Sequence, residues 1–177
     1  MDGDQKIQKA YESILQHDFE RAIEWFEQAV KDQPDNADYH YKLSITYARS
    51  NKLNQAISHA ERAWKLAPDH EKYKLHIEHL RSRLYMKKAE KSLDGQEHLP
   101  YAVSMLTRAI TLDPLAVEAY VLLGTVYSEL GDYKEAIEAF REASKLDPNN
   151  KQAMQLLIVC QQKLRQQFDQ SDDNEDK

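Results

Sequence analysis

Residues 117–148, VEAYVLLGTVYSELGDYKEAIEAFREASKLDP, decide how the chain folds. Tyr120, Leu123, Gly124 and Tyr127 recur at steps of three and four, which places them on one face of a helix. Gly131 and Asp132 interrupt the pattern, and Ala136, Phe140 and Ala143 resume it until Asp147-Pro148 stops it. The spacing predicts two short amphipathic helices joined by a tight turn. The motif is not isolated: Pro34, Pro68, Pro114 and Pro148 lie 34, 46 and 34 residues apart, and the segment ahead of each is alike. An array of helical hairpins is expected, not a single globular core.

With Tyr, Leu, Gly and Tyr in its first helix and Ala, Phe, Ala and Pro after it, the unit at 117–150 resembles the tetratricopeptide repeat (TPR) family. The unit at 37–70 carries Leu43, Ser44, Tyr47, Ala56, Ala63 and Pro68, but has Ala60 where a large aromatic is usual. The unit at 6–36 keeps Ala22, Phe26, Ala29 and Pro34 in its second helix, while its first helix is degenerate. A third unit, 71–116, contains an insertion. The resemblance implies an all-α fold: a right-handed TPR-like α-solenoid of paired antiparallel helices, with an elongated helix in the third unit. Lys151 to Phe168 continues the apolar spacing through Ala153, Leu156, Leu157, Cys160 and Leu164, which suits a capping helix at 151–168. The expected boundaries are a disordered N-terminus at 1–5, one solenoid over 6–168, and a disordered acidic tail at 169–177.

Composition narrows the function. The chain has 177 residues, 41% of them hydrophobic and 31% charged, which suits a soluble helical protein. A net charge of −6 gives no general case for nucleic acid. Cys160 is the single cysteine, so no internal disulfide can form, and its setting in LLIVC is that of a buried side chain. His76 and His79 lack the accompanying Cys or carboxylate pattern of a metal site. No Gly-rich phosphate loop precedes a strand, and the acids follow caps, turns and helix exteriors. Neither an enzyme nor a cofactor is expected. No apolar run approaches the ~20 residues that span a bilayer, and MDGDQKIQKAYES lacks the basic start and apolar core of a signal peptide. The expected location is the cytoplasm, with membrane contact only through a partner or a basic helix.

The most individual stretch lies between Pro68 and Pro114. Tyr73, Ile77, Leu80 and Leu84 keep helical spacing, and no Gly or Pro occurs from Asp69 to Asp94. One helix over 71–93, roughly 35 Å long at ~1.5 Å per residue, is expected. The alternative is a pair of helices kinked near Tyr85-Met86. This helix is basic in an acidic protein, and Arg81, Arg83, Lys87, Lys88 and Lys91 form a candidate docking surface for an acidic partner. The plainer reading is a solvated face.

By analogy with the family, the first helices line a concave groove that holds a peptide or helix of a partner protein. The matching positions are Asp38, Tyr41, Lys42, Ile45 and Arg49 in the second unit, and Glu118, Val121, Leu122, Thr125 and Ser128 in the fourth. The family's carboxylate-clamp subset wants Lys, Asn and Arg where this chain has Tyr41, Ile45, Val121, Leu122 and Thr125, which argues against a chaperone-tail adaptor. The expected function is therefore a non-catalytic protein-binding adaptor or scaffold. The alternative is a structural, self-associating solenoid that pairs through the basic helix 71–93.

Overall fold

The computed structural model describes residues 2–93 and 95–175, with positions 96 and 170–175 described by their backbone alone. Nine α-helices occur among these residues: α1 (Gly3–Leu15), α2 (Phe19–Asp32), α3 (Ala37–Arg49), α4 (Leu53–Leu66), α5 (Glu71–Glu90), α6 (Leu99–Leu112), α7 (Val117–Leu130), α8 (Tyr133–Leu146) and α9 (Lys151–Glu175). A 3-10 turn, Gln96–His98, precedes α6, and no strand occurs among the described residues. The chain forms two compact units, the first ending at Arg81 and the second beginning at Ser82, so the division falls within α5. In the first, α1 packs on α2, α2 on α3 and α3 on α4; in the second, α6 packs on α7, α7 on α8 and α8 on α9. No helix among the described residues is long and apolar enough to cross a membrane.

Local chemistry closes each hairpin in the same way. After α1, α3 and α7 the amides of Asp18, Lys52 and Asp132 donate to the carbonyls of Ser13, Tyr47 and Tyr127, each at 2.9 Å. That bond needs a left-handed residue just before the donor, and His17 (φ 59°), Asn51 (φ 58°) and Gly131 (φ 84°) supply it. The partner helices α2, α4, α6 and α8 each end two residues ahead of a proline, which has no amide to continue the ladder.

Alanines make the crossings: Ala22, Ala29, Ala56, Ala63, Ala136 and Ala143 are fully buried. Without side chains beyond Cβ, the paired backbones approach closely. The tightest contact is in the second unit, where a Cβ added at Gly124 would lie 2.7 Å from Phe140 Cε1. Ser44 stands at the matching place in α3, opposite Ala60 instead of a ring. The smaller partner leaves room for the hydroxyl, which donates to the Ala56 carbonyl at 2.7 Å. His76 of α5 approaches the same hydroxyl at 2.9 Å, so α5 closes this side of the pair.

The described helix bounds differ from those expected at three places. Residues 3–5, expected to lie ahead of the solenoid, open α1: the Gln5 amide donates to Asp2 Oδ1 at 2.9 Å and the Asp2 amide to Gln5 Oε1 at 3.2 Å, a reciprocal cap. Tyr39 secures this end by donating to Asp4 Oδ1 at 2.7 Å, with its ring over Gly3. At the other terminus α9 continues past Phe168 to Glu175, because extending a formed helix fixes only one residue per added hydrogen bond. Residues 176 and 177 lie outside the described residues. The expected single long helix is present: α5 runs without the alternative break at Tyr85-Met86 and ends at Glu90, three residues short of 93. There the ladder tightens, with the Ser92 amide on the Ala89 carbonyl at 2.8 Å.

Gly124→Ala is expected to lower stability by ~1–3 kcal/mol through overpacking against Phe140. Phe140→Leu should then cost less in the Gly124→Ala background than in the wild type, as read from urea-unfolding midpoints. Strictly additive losses would contradict the contact.

Candidate functional site

Side chains on α1, α3 and α5 meet within the first unit. The Lys42 ammonium lies 5.8 Å from the centroid of the Tyr11 ring, joining α3 to α1. Tyr41 packs against α5, with ring centroids 5.0 Å from both Tyr73 and His76. The Lys72 ammonium lies 4.8 Å from the Tyr41 centroid and 5.1 Å from that of Tyr73. Asp38 sits between the two cations, 2.7 Å from Lys42 and 3.8 Å from Lys72. Burial works against the charge on Lys42, but Asp38 and Tyr11 offset it and hold the amine above the ordinary lysine range.

The expected groove positions divide on this face. Tyr41, Lys42, Ile45 and Asp38 are half-buried and Arg49 is exposed. Tyr11 and Leu15, one turn apart on α1, are 46% and 81% exposed. Neither was among the expected site residues. A shift of one 34-residue period from Ile45 and Arg49 lands on them, which is the signal that could have found them.

The same unit holds a histidine cluster that the sequence did not announce. His40 Nε2 lies 3.0 Å from the Pro34 carbonyl and so carries the proton. Its Nδ1 then accepts from the Nδ1–H of His59 at 2.9 Å, with the two rings stacked. Tyr47 also stacks on His59 and donates to Glu27. Burial lowers the pKa of both histidines, and their proximity lowers that of His59 further. His76 is pushed down to about 4 by burial, with His79 adding to it. Ser44 already donates to Ala56, so neutral His76 donates from Nε2 to the hydroxyl oxygen.

In the second unit, Val121 is buried in a cluster with Ile137, Phe140, Ala153 and Cys160, and Leu122 packs on another around Leu106 and Val126. Thr125 Oγ1 donates to its own helix at the Val121 carbonyl, 2.9 Å away, and Ser128 Oγ accepts from Cys160 Sγ at 3.5 Å. Glu118 is exposed. Of the basic residues on α5, Arg81 is engaged with Glu61 at 2.8 Å, while Lys88 and Lys91 are exposed and Arg83 and Lys87 half-buried. Among the described residues no three His, Cys, Asp or Glu side chains gather as a metal site would require.

Two family models, both described as Tetratricopeptide repeat, match the chain at residues 13–79 and 117–150, together more than half of it. The chain is 29% identical over 135 residues to protein O-mannosyl-transferase TMTC3 of Homo sapiens, covering 75% of this chain and 15% of that protein. It is 24% identical over 164 residues to DnaJ homolog subfamily C member 3 of Gallus gallus, covering 85% and 31%. It therefore spans less than a third of either relative. Among solved structures it is similar to MamA, with a TM-score of 0.55 and 22% identity over 91% of this chain and 81% of that one. A MamA fragment from Desulfovibrio magneticus RS-1 gives a TM-score of 0.52 at 16% identity, covering 93% and 96%. At these identities the likeness is one of fold.

Acid should destabilise the first unit. An unfolded histidine titrates near ~6.5, and His76 in the fold near 4. Between those values the unfolded chain holds the proton and the folded chain does not. The contribution is therefore complete above pH ~6.5 and lost as pH falls towards 4. His40 and His59 act in the same direction. The expected loss between pH 7.5 and 4.5 is about 1–2 kcal/mol, reduced by solvent screening at a partly exposed side chain. His76→Gln keeps a donor for Ser44 and should flatten the urea-midpoint profile; an unchanged slope would exclude His76 as a source.

Proposed function

Because the chain belongs to the tetratricopeptide repeat family, we propose that it is a non-catalytic adaptor that binds a peptide or helix of a partner protein. The contact is assigned to the face shared by α1, α3 and α5. The observation that carries this reading is the exposure of Tyr11 and Leu15, one turn apart, beside the Lys42 ammonium. Contiguous apolar patches rimmed by polar residues mark interaction sites, and aromatic anchors flanked by charge are typical of recognition surfaces. Tyr41 and Ile45 extend the apolar strip on α3, while Lys42, Arg49 and Lys72 border it. A segment with two or more apolar side chains and an acidic residue suits that chemistry.

From the expected groove set, Asp38, Tyr41, Lys42, Ile45 and Arg49 belong to this proposal. Glu118 and Thr125 are retained for the second unit, whereas Val121, Leu122 and Ser128 are already engaged by neighbouring helices. Catalysis is not part of the proposal; the activity named for TMTC3 belongs to a protein of which this chain matches 15%. Self-association is the second reading, favoured by Met154 and Ile158, 48% and 54% exposed one turn apart on α9.

Selection of phage-displayed peptides on the immobilised protein tests the first reading. Peptides enriched by the wild type should bind Tyr11→Ala/Leu15→Ser at least tenfold more weakly, the effect of losing ~1.4 kcal/mol or more of anchor contact. Equal binding by the variant would remove this face from the site. Sedimentation at several concentrations tests the second reading, with Ile158→Lys expected to abolish any dimer.

A further inference from the structure

A second surface, unrelated to the apolar strip, lies on the later turns of α5. Ser82 and Ala89 are buried there, and Tyr85, Met86 and Leu93 pack on the cluster around Leu99, Leu106 and Val126. That face points inward. Arg83 and Lys87 lie four residues apart away from it, and Lys91, just past the end of α5, continues the spacing, forming a stripe ~12 Å long with Lys88 beside it.

Several cations of the first unit are matched across helices: Lys6 with Asp32, Lys52 with Glu20, Arg62 with Asp35 and Arg81 with Glu61. Among the described residues, no carboxylate lies within 4.0 Å of Arg83, Lys87, Lys88, Lys91 or Arg108, and none of these is engaged in any other ion pair. Two of them also converge. Lys88 Nζ lies 5.5 Å, and Arg108 Cζ on α6 lies 5.9 Å, from the centroid of the one Tyr85 ring. The ring attracts each cation, but the cations repel one another, and like charges at four-residue spacing repel along the stripe as well. Glu90 is the single carboxylate on this part of α5. An incoming anion would relieve that repulsion.

We propose that the stripe Arg83–Lys87–Lys88–Lys91, with Arg108, docks a short acidic segment of a partner protein that carries several Asp or Glu in succession. Its length matches about four residues of extended chain at ~3.3 Å each. A nucleic acid or an anionic bilayer extends its charge well beyond the stripe, where it would meet a chain of net charge −6.

The test is fluorescence anisotropy with a labelled octapeptide of alternating Asp and Glu, read at 50 and 200 mM NaCl. The wild type should bind it, several-fold more weakly at the higher salt, and should ignore an Asn/Gln peptide of equal length. Lys87→Gln/Lys91→Gln should weaken binding at least tenfold and Arg108→Gln several-fold. Lys9→Gln/Lys145→Gln, at exposed and already paired positions, should leave it unchanged. Tyr11→Ala/Leu15→Ser should also bind as wild type, which separates this surface from the peptide-binding face. Circular dichroism checks that each variant is folded. Absence of binding, equal loss in the Lys9/Lys145 control, or tighter binding to a single-stranded oligonucleotide or to phosphatidylserine vesicles would overturn the proposal.

Discussion

Close approach of paired helices is the constraint on which the rest of the structure depends. Each crossing is made of residues with little or no side chain, so one bulky ring can fill the space they leave. Phe140 over Gly124 is the sharpest case, since the ring reaches to within contact of the backbone itself. Ser44 opposite Ala60 solves the same problem with the sizes redistributed. Because Ala60 provides no ring, the hydroxyl can stay, and it bonds to Ala56. A polar group buried at a crossing must then be satisfied from both sides. His76 does so, and its neutral state is the consequence of being placed there.

This substitution explains why the first unit is held together by more polar contacts than a repeat of the Gly–Phe kind. A ring-filled crossing is closed by apolar area alone and is indifferent to pH. With a hydroxyl at the crossing, α5 has to bring a donor, and the histidines at 40 and 59 form a second hydrogen-bonded pair in the same unit. Such groups are costly when left unpaired, so they fix the packing of α3, α4 and the start of α5 more narrowly than apolar contacts would. The Ser44–His76 closure thus follows from a single departure in side-chain size.

Much of this was legible in the sequence, and the boundary of what was legible has a physical basis. The 34-residue period, the prolines after α2, α4, α6 and α8, and the Gly131 turn are local signals, and the helices fall where those signals put them. The length of α5 was also legible, because a run free of Gly and Pro is a local property. The start of α1 was only partly legible: the Asp2–Gln5 cap is a local signal, whereas the bond from Tyr39, far along the chain, to Asp4 is not. Nor was the engagement of Val121 and Ser128, which comes from α9 residues Ala153 and Cys160. Periodicity tells which face of a helix is apolar, but not which neighbour covers it. For the same reason helical spacing alone does not show that Tyr11 and Leu15 are exposed.

A repeat fold asks little of most of its positions, and this bears on where function resides. The signature residues make the crossings and turns, and substitutions elsewhere are free as long as the helices persist. Residues that meet neither requirement and still carry a cost are therefore informative. Leu15 exposes an apolar side chain that no crossing uses. Arg83, Lys87 and Lys91 gather like charge on a helix that neutral residues would stabilise as well. The two costs are of different kinds, one relieved by apolar burial and the other by an anion, so the two surfaces suit different ligand chemistry. A scaffold that joins partners needs surfaces that do not compete for the same one, and differing chemistry satisfies that condition.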